Sequence, residues 1–265
     1  MEKQIKWNNK NIFYEVSGSG PAIVLIHGFL ENHHIWDELI LQCKEKYKLI
    51  AIDLPGFGKS SVYGKVHTME FMADAVKAVM ENENTEKGIL IGHSMGGYVT
   101  VAFTEKYQDA VSGIVFFHSQ VAADTPEGRE NRKRAIEIAI SQHADYITKF
   151  IPSLFAPENI NKYSDRISQL RKQSIEAPKE GVVAALAGMA ERIDGKELLK
   201  NIHVPVFFVV GKQDSRISLD EIMRQMSLPK NTEAIILDHV GHMGFIEAPE
   251  KIFPVLESFC ERIYQ

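Results

Sequence analysis

Five stretches of this 265-residue chain are apolar without alternation: Ala22–Ile26, Leu49–Ile52, Ile89–Ile91, Ile114–Phe117 and Val204–Val210. A strand that is apolar on both faces has to be covered on both, which happens when helices pack on either side of a parallel sheet. Helical patterns do lie between these runs. Thr68 can cap a helix carrying Met69, Met72, Val76 and Val79 on one face, and Ile252, Leu256, Phe259, Cys260 and Ile263 mark a last helix. Pro254 lies inside that last helix, so a kink or a late start is expected there. Gln4–Trp7 and Ile12–Val16, separated by the polar cluster Asn8–Asn11, read as an opening hairpin. Strands alternating with helices predict an α/β class chain with a doubly wound, mostly parallel sheet.

One stretch interrupts the alternation. Between about Gln120 and Lys200 there are only helical patterns, with Ile136, Ala139, Ile140, Ile147, Phe150 and Ile151 on one apolar face and Val182–Met189 on another. So long a segment without structure of its own is uncommon in a compact domain. The expected division is a core of residues 1–119 and 201–265, with residues 120–200 inserted as a helical cap, or lid.

Composition removes several function classes. With 30 Lys and Arg against 35 Asp and Glu, the net charge is −5, contrary to the clustered positive charge of a nucleic-acid-binding face. No apolar run approaches the ~20 residues of a membrane helix, and Met1–Gly20 is too polar for a secretory signal. Two cysteines, Cys43 and Cys260, neither form a disulfide framework nor follow metal-ligand spacing. A soluble, cytoplasmic globular protein is expected.

The strongest chemical signal follows the run Ile89–Ile91. Gly92-His93-Ser94-Met95-Gly96 has the form G-x-S-x-G and leads into a helical segment, Tyr98–Tyr107. A strand turning sharply into a helix holds such a serine in a strained conformation, and glycines on either side remove the Cβ atoms that would collide. Ser94 is the candidate nucleophile. In this topology an acid and then a histidine follow in sequence, the histidine on a loop after the last strand. Thr232–Leu237 reads as that strand, and Gly241-His242-Met243-Gly244 makes His242 the candidate base, with His239 as the alternative. The loop Gly211-Lys212-Gln213-Asp214 ends an earlier strand and supplies Asp214 as the orienting carboxylate; Asp238 is its rival. An oxyanion needs two backbone N–H donors, assigned to Met95, just after the nucleophile, and to Phe29 in His27-Gly28-Phe29. His27 and His93 read as structural. His118 and Ser119, at the end of a strand, and Arg129, in the basic cluster Arg129, Arg132, Lys133 and Arg134, are candidates for the substrate pocket, and Arg192 is expected to pair with Asp194.

Asp53-Leu54-Pro55-Gly56-Phe57-Gly58-Lys59-Ser60 ends like a phosphate-binding loop. Asp53 stands where that motif needs glycine, and Pro55 has no N–H to offer phosphate, so nucleotide binding is not expected.

Taken together, His27-Gly28-Phe29, the segment Asp53–Ser60, Gly92–Gly97, Gly211–Asp214 and Gly241-His242 resemble the α/β-hydrolase superfamily over nearly the whole chain. They are most similar to its small esterase, lactonase and haloperoxidase-like branch, in which a helical cap follows the sixth strand. The resemblance implies a triad of Ser94, His242 and Asp214 and no cofactor; no metal is expected either, since no carboxylate or third histidine completes a ligand set with His239 and His242. Haloalkane dehalogenases and epoxide hydrolases of this fold carry aspartate at the nucleophile position, where this chain has Ser94. The triple-glycine loop of lipases is also absent, since only Gly28 follows His27. The expected activity is carboxylesterase-like cleavage of a small-molecule ester, or of a related lactone or thioester. Hydrolysis of a C–C bond, as in meta-cleavage-product hydrolases, and ligand reception with little turnover are the alternatives. A homodimer is compatible with the sequence; a nucleic-acid or membrane partner is not expected.

Overall fold

The computed structural model describes residues 1–265. Eight strands, β1 (Glu2–Trp7), β2 (Lys10–Ser17), β3 (Ala22–Ile26), β4 (Lys48–Ile52), β5 (Gly88–His93), β6 (Val111–Phe117), β7 (Val206–Gly211) and β8 (Thr232–Leu237), form one sheet in the order β1-β2-β4-β3-β5-β6-β7-β8. β1 and β2 pair antiparallel, β2 joins β4 antiparallel, and every other neighbour is parallel. The sheet is therefore doubly wound and mostly parallel, as the apolar runs required. Every residue of β3, β5 and β7 is buried, whereas the edge strand β1 alternates exposed and half-buried positions. The run that begins at Val204 pairs only from Val206, because Pro205 has no N–H for the ladder.

Twelve helices complete the chain. α1 (Asp37–Cys43), α2 (Met69–Asn82) and α3 (Met95–Lys106) lie among the first strands. Between β6 and β7 run α4 (Pro126–Ser141), α5 (His143–Phe150), α6 (Asn159–Lys162), α7 (Ser164–Ile175), α8 (Lys179–Glu191) and α9 (Lys196–Asn201). α10 (Leu219–Met226), α11 (Gly244–Glu247) and α12 (Pro249–Tyr264) follow. Thr68 caps α2 by accepting from the Phe71 amide at 3.1 Å, and Thr125 does the same for α4 through Gly128 at 3.1 Å. α12 does not start late. Pro249 occupies its first turn, where no N–H is needed, and the helix runs through Pro254. No helix is long and apolar enough to cross a membrane.

The single apolar face expected across α4 and α5 is interrupted. Ala139, Ile147 and Ile151 are buried, but Ile140 is 54% exposed. Gln142, with φ −141° and ψ 53°, separates the two helices and resets the direction of the stripe.

β3 lies between β4 and β5, so the connections after β3 and after β5 leave toward opposite sides of the sheet. At such a reversal of strand order the loops diverge and a crevice opens at the carboxyl ends of the strands. His27-Gly28-Phe29 and Ser94 emerge there.

Candidate active site

Ser94 follows β5 and caps the N-terminus of α3 with φ 50° and ψ −114°, a conformation that side chains other than glycine rarely adopt. The neighbouring glycines are sterically required. A Cβ on Gly92 would stand 2.5 Å from the Gly96 carbonyl carbon, and one on Gly96 would stand 2.2 Å from the Ile26 carbonyl oxygen. The strained turn is held by its own hydrogen bonds: the Ser94 amide donates to Phe117 O at 3.1 Å, and Ser94 O accepts from the Gly97 amide at 2.9 Å and from Ser119 Oγ at 2.7 Å. The hydroxyl thus stands at the positive end of α3, where developing negative charge is favoured.

His242 is buried, and its amide donates to Leu154 O at 2.7 Å. Its Nδ1 lies 2.7 Å from Asp214 Oδ2. A carboxylate can only accept, so Nδ1 carries the proton and Nε2 keeps a free lone pair. Asp214 also accepts at Oδ1 from the amides of Arg216 (2.7 Å) and Ile217 (3.2 Å), which fixes its plane. Burial alone would raise the Asp214 pKa; the charge and hydrogen bond of His242, with His118 close by, outweigh it and hold the carboxyl well below the usual range. No hydrogen bond joins Ser94 Oγ to His242, but both residues line one cavity of about 270 Å³. In unliganded sites such contacts are often long and tighten on binding.

Phe29 lines the same cavity, and its amide donates to no protein acceptor. Met95 is the first residue of α3, so its N–H has no partner within the helix. His27 is structural, as expected: the Leu54 amide donates to its Nε2 at 2.9 Å, and its Nδ1 lies 2.7 Å from Gly28 O.

The expected pocket residues lie elsewhere. His118 is buried behind the cavity, with Nδ1 3.5 Å from Asp214 Oδ2, and burial lowers its pKa to about 4. Ser119 is spent on the Ser94 carbonyl. Arg129 is exposed and turns its Nε to Asp124 O at 3.2 Å. Arg132, one turn further along α4, faces the cavity in its place and pairs with Asp124. Arg192 does not pair with Asp194; its Nη1 reaches Asp124 Oδ1 at 2.7 Å, because α8 runs beside α4 and brings Arg192 to that carboxylate. Asp194 contacts Lys196 instead, at 3.4 Å. His239 is exposed beside Glu158, and Asp238 lies near Lys212 at 3.8 Å, so neither reaches Ser94. The loop after β4 wraps its own acid. Asp53 accepts from His33 Nδ1 at 2.8 Å and from the Lys59 amide at 2.8 Å, the latter a backbone donor that a phosphate-binding loop would offer to its ligand.

Two acids escape sequence reasoning. Glu31 Oε2 accepts from the Gly28 amide at 2.6 Å and lies 2.8 Å from His93 Nδ1, while His93 Nε2 lies 3.0 Å from His242 O. His93 is structural, yet it stands beside the site: its ring centroid is 5.0 Å from that of His242. Glu247 gathers four donors, the amides of Ala156 (2.9 Å), Gly241 (3.0 Å) and Met243 (3.2 Å) and Asn159 Nδ2 (2.7 Å). The only local signal for Glu31 is a carboxylate three residues after Gly28. Its partner His93 is 62 positions away. No group of three or more His, Cys, Asp or Glu side chains is arranged to hold a metal ion.

A family model described as "alpha/beta hydrolase fold" matches residues 21–249. The pimeloyl-[acyl-carrier protein] methyl ester esterase of Aeromonas hydrophila is 24% identical over 258 residues, covering 94% of this chain and 99% of that one. The 3-oxoadipate enol-lactonase 1 of Acinetobacter baylyi is 26% identical over 260 residues, covering 96% of this chain and 94% of that one. Among solved structures, the malate-bound thermophilic esterase of Thermogutta terrifontis superimposes with a TM-score of 0.94 at 29% identity, covering 100% of both chains.

Proposed function

This chain belongs to the alpha/beta hydrolase fold family, and from that premise we propose that it cleaves small carboxylic esters, or related lactones and thioesters, through an acyl-enzyme on Ser94. Kinship with a methyl ester esterase, an enol-lactonase and a structurally similar esterase supports an ester-cleaving hydrolase. The observation that carries the mechanism is the 2.7 Å contact of His242 Nδ1 with Asp214 in a cavity that Ser94 shares.

In the proposed cycle Ser94 Oγ attacks the ester carbonyl and its proton passes to His242 Nε2. Asp214 holds the imidazole in the required tautomer and stabilises imidazolium while it lasts. The carbonyl oxygen becomes an oxyanion facing the N–H groups of Phe29 and Met95. Collapse of this intermediate expels the alcohol, which takes the proton from His242. Water then attacks the acyl-enzyme with His242 again as base, and the acid leaves with Ser94 restored. General acid–base transfer contributes about 10²–10⁴-fold. Each oxyanion donor contributes about 10²–10³-fold. Residues 120–200 act as a cap over this site: Tyr146 and Phe150 from α5, and Leu186 and Met189 from α8, give the cavity its apolar wall.

The test is turnover of p-nitrophenyl acetate and butyrate together with fluorophosphonate labelling. Labelling confined to Ser94, and loss of both signals in Ser94→Ala, are expected. Near-native turnover in Ser94→Ala would overturn the assignment. Labelling without turnover would favour a ligand receptor.

A further inference from the structure

The charged groups around the cavity do not all cancel. Glu31 is matched by His93 at 2.8 Å. Asp124 is shared by two guanidinium groups, Arg132 and Arg192, the latter at 2.7 Å. Arg216 lines the cavity and forms no ion pair: its guanidinium donates to Ser153 Oγ, and its Cζ lies 4.5 Å from the centroid of the Phe150 ring. Stacking on an aromatic face holds a guanidinium flat while leaving its edge donors available. Nε and Nη1 of Arg216 meet no protein acceptor. The residue is also anchored, since its backbone amide donates to Asp214 Oδ1 at 2.7 Å. The loop that orients the candidate base therefore presents to the same cavity a planar, partly solvated cation that has no salt-bridge partner.

We propose that the ester or lactone hydrolysed here carries a second, ionised acid group, and that Arg216 binds this remote carboxylate while Ser94 attacks the ester. The substrate class is the half-ester of a short dicarboxylic acid, or the equivalent lactone acid. This rests on the reading of Ser94 as nucleophile. A carboxylate accepts two parallel N–H bonds from a guanidinium edge, which gives orientation as well as attraction. Phe29, Phe150 and Leu154 supply apolar contact for the methylene chain between the two ends. A cavity of about 270 Å³ has room for a chain of a few carbons. The guanidinium selects among esters because an ionised acid group replaces its water with a charge-assisted, two-pronged partner, which a neutral ester of the same length does not supply.

The test compares kcat/KM for monomethyl glutarate and monomethyl adipate with methyl pentanoate and methyl hexanoate, in a pH-stat near pH 7. A charge-assisted hydrogen bond is worth about 1.5–3 kcal/mol, so the half-esters are expected to be preferred by about 10- to 100-fold. In Arg216→Met, which keeps the apolar stem on Phe150, the ratio of half-ester to neutral ester should collapse toward one, whatever happens to the absolute rates. Arg216→Lys should keep part of the ratio. A wild-type preference for the neutral esters, or an unchanged ratio in Arg216→Met, overturns the proposal. If p-nitrophenyl butyrate is turned over through Ser94 while half-esters are not preferred, the anion site alone fails. If Ser94 neither labels nor turns over any ester, both readings fail together.

Discussion

Glu31 Oε2 and His93 Nδ1 lie 2.8 Å apart, with both side chains buried. The contact is the middle of a chain from the Gly28 amide through Glu31 and His93 to the His242 carbonyl, at 2.6, 2.8 and 3.0 Å. It ties the loop bearing the Phe29 amide to the loop bearing His242, beneath the turn that carries Ser94. Burial alone would raise the Glu31 pKa and lower that of His93; their mutual charge and hydrogen bond reverse both, so Glu31 falls below 4.5 and His93 rises above 6.5. The depressed acid contributes stability above 4.5 and loses it as the pH falls through its folded pKa. The raised histidine contributes below 6.5 and loses it as the pH rises through its own. Both contributions are complete between those values. Glu31→Gln is therefore expected to cost about 3–5 kcal/mol near the middle of that window, with a smaller cost on either side. Urea unfolding of the two proteins across a pH series checks this; a gap that does not change with pH would contradict the ion pair.

Gly28→Ala tests the loop directly. A Cβ there would stand 2.6 Å from Glu31 Oε2, 2.7 Å from His93 Nδ1 and 3.1 Å from Ser94 Cβ. Relief displaces the Glu31–His93 pair that braces this loop, or the loop itself, and either change shifts the Phe29 amide. The expected result is a kcat lower by about 10²–10³-fold, as when one oxyanion donor is lost, with little change in KM. Steady-state kinetics on p-nitrophenyl butyrate reads it. A kcat within a few-fold of wild type would remove Phe29 from the oxyanion site.

Asp214→Asn keeps the size of the side chain but can place an N–H2 group against His242 Nδ1. The imidazole then favours the tautomer with its proton on Nε2, where it cannot take one from Ser94. A fall of about 10⁴-fold in kcat is expected, with fluorophosphonate labelling slowed in parallel. A loss of less than about tenfold would mean that the 2.7 Å contact does not set the tautomer.

Glu247→Gln replaces an oxygen that accepts from backbone amides with a donor. Gly241 and Met243, on either side of His242, donate to Oε1 at 3.0 and 3.2 Å, and Ala156 donates to Oε2 at 2.9 Å. Whichever way the amide turns, one set of donors loses its acceptor, at about 1–3 kcal/mol per buried group left unpaired. Thermal unfolding should shift down by several degrees, and amide exchange at residues 241–243 should quicken. Unaltered exchange there would show that the loop does not depend on Glu247.

Legibility in the sequence varied with distance along the chain. The strand Ala22–Ile26 coincides with its apolar run, and the turn at Ser94 is recognisable because both of its essential glycines lie within two residues of it. Asp214 and His242 are legible as candidates through topology: each sits just past the end of a strand, in the chain order this arrangement requires. The pocket wall was not legible. Arg129 and Arg132 belong to one basic cluster, and which of them faces the cavity depends on the rotation of α4 against α8, which the composition of the cluster does not encode.

The sequence by itself determined the layered α/β architecture and the strained turn at Ser94, the candidate nucleophile, because unbroken apolar runs and steric limits at a tight turn act over a few residues. Tertiary structure alone decided how the site is braced and what it can admit. Glu31 meets His93 across 62 positions and His93 meets the His242 carbonyl across 149. Arg216 lines the cavity without a salt-bridge partner, while Asp124 and Glu31 pair with other residues of the folded chain. Hydrogen bonds and charges between distant residues depend on where the backbone comes to rest, and no local pattern of residue types records that.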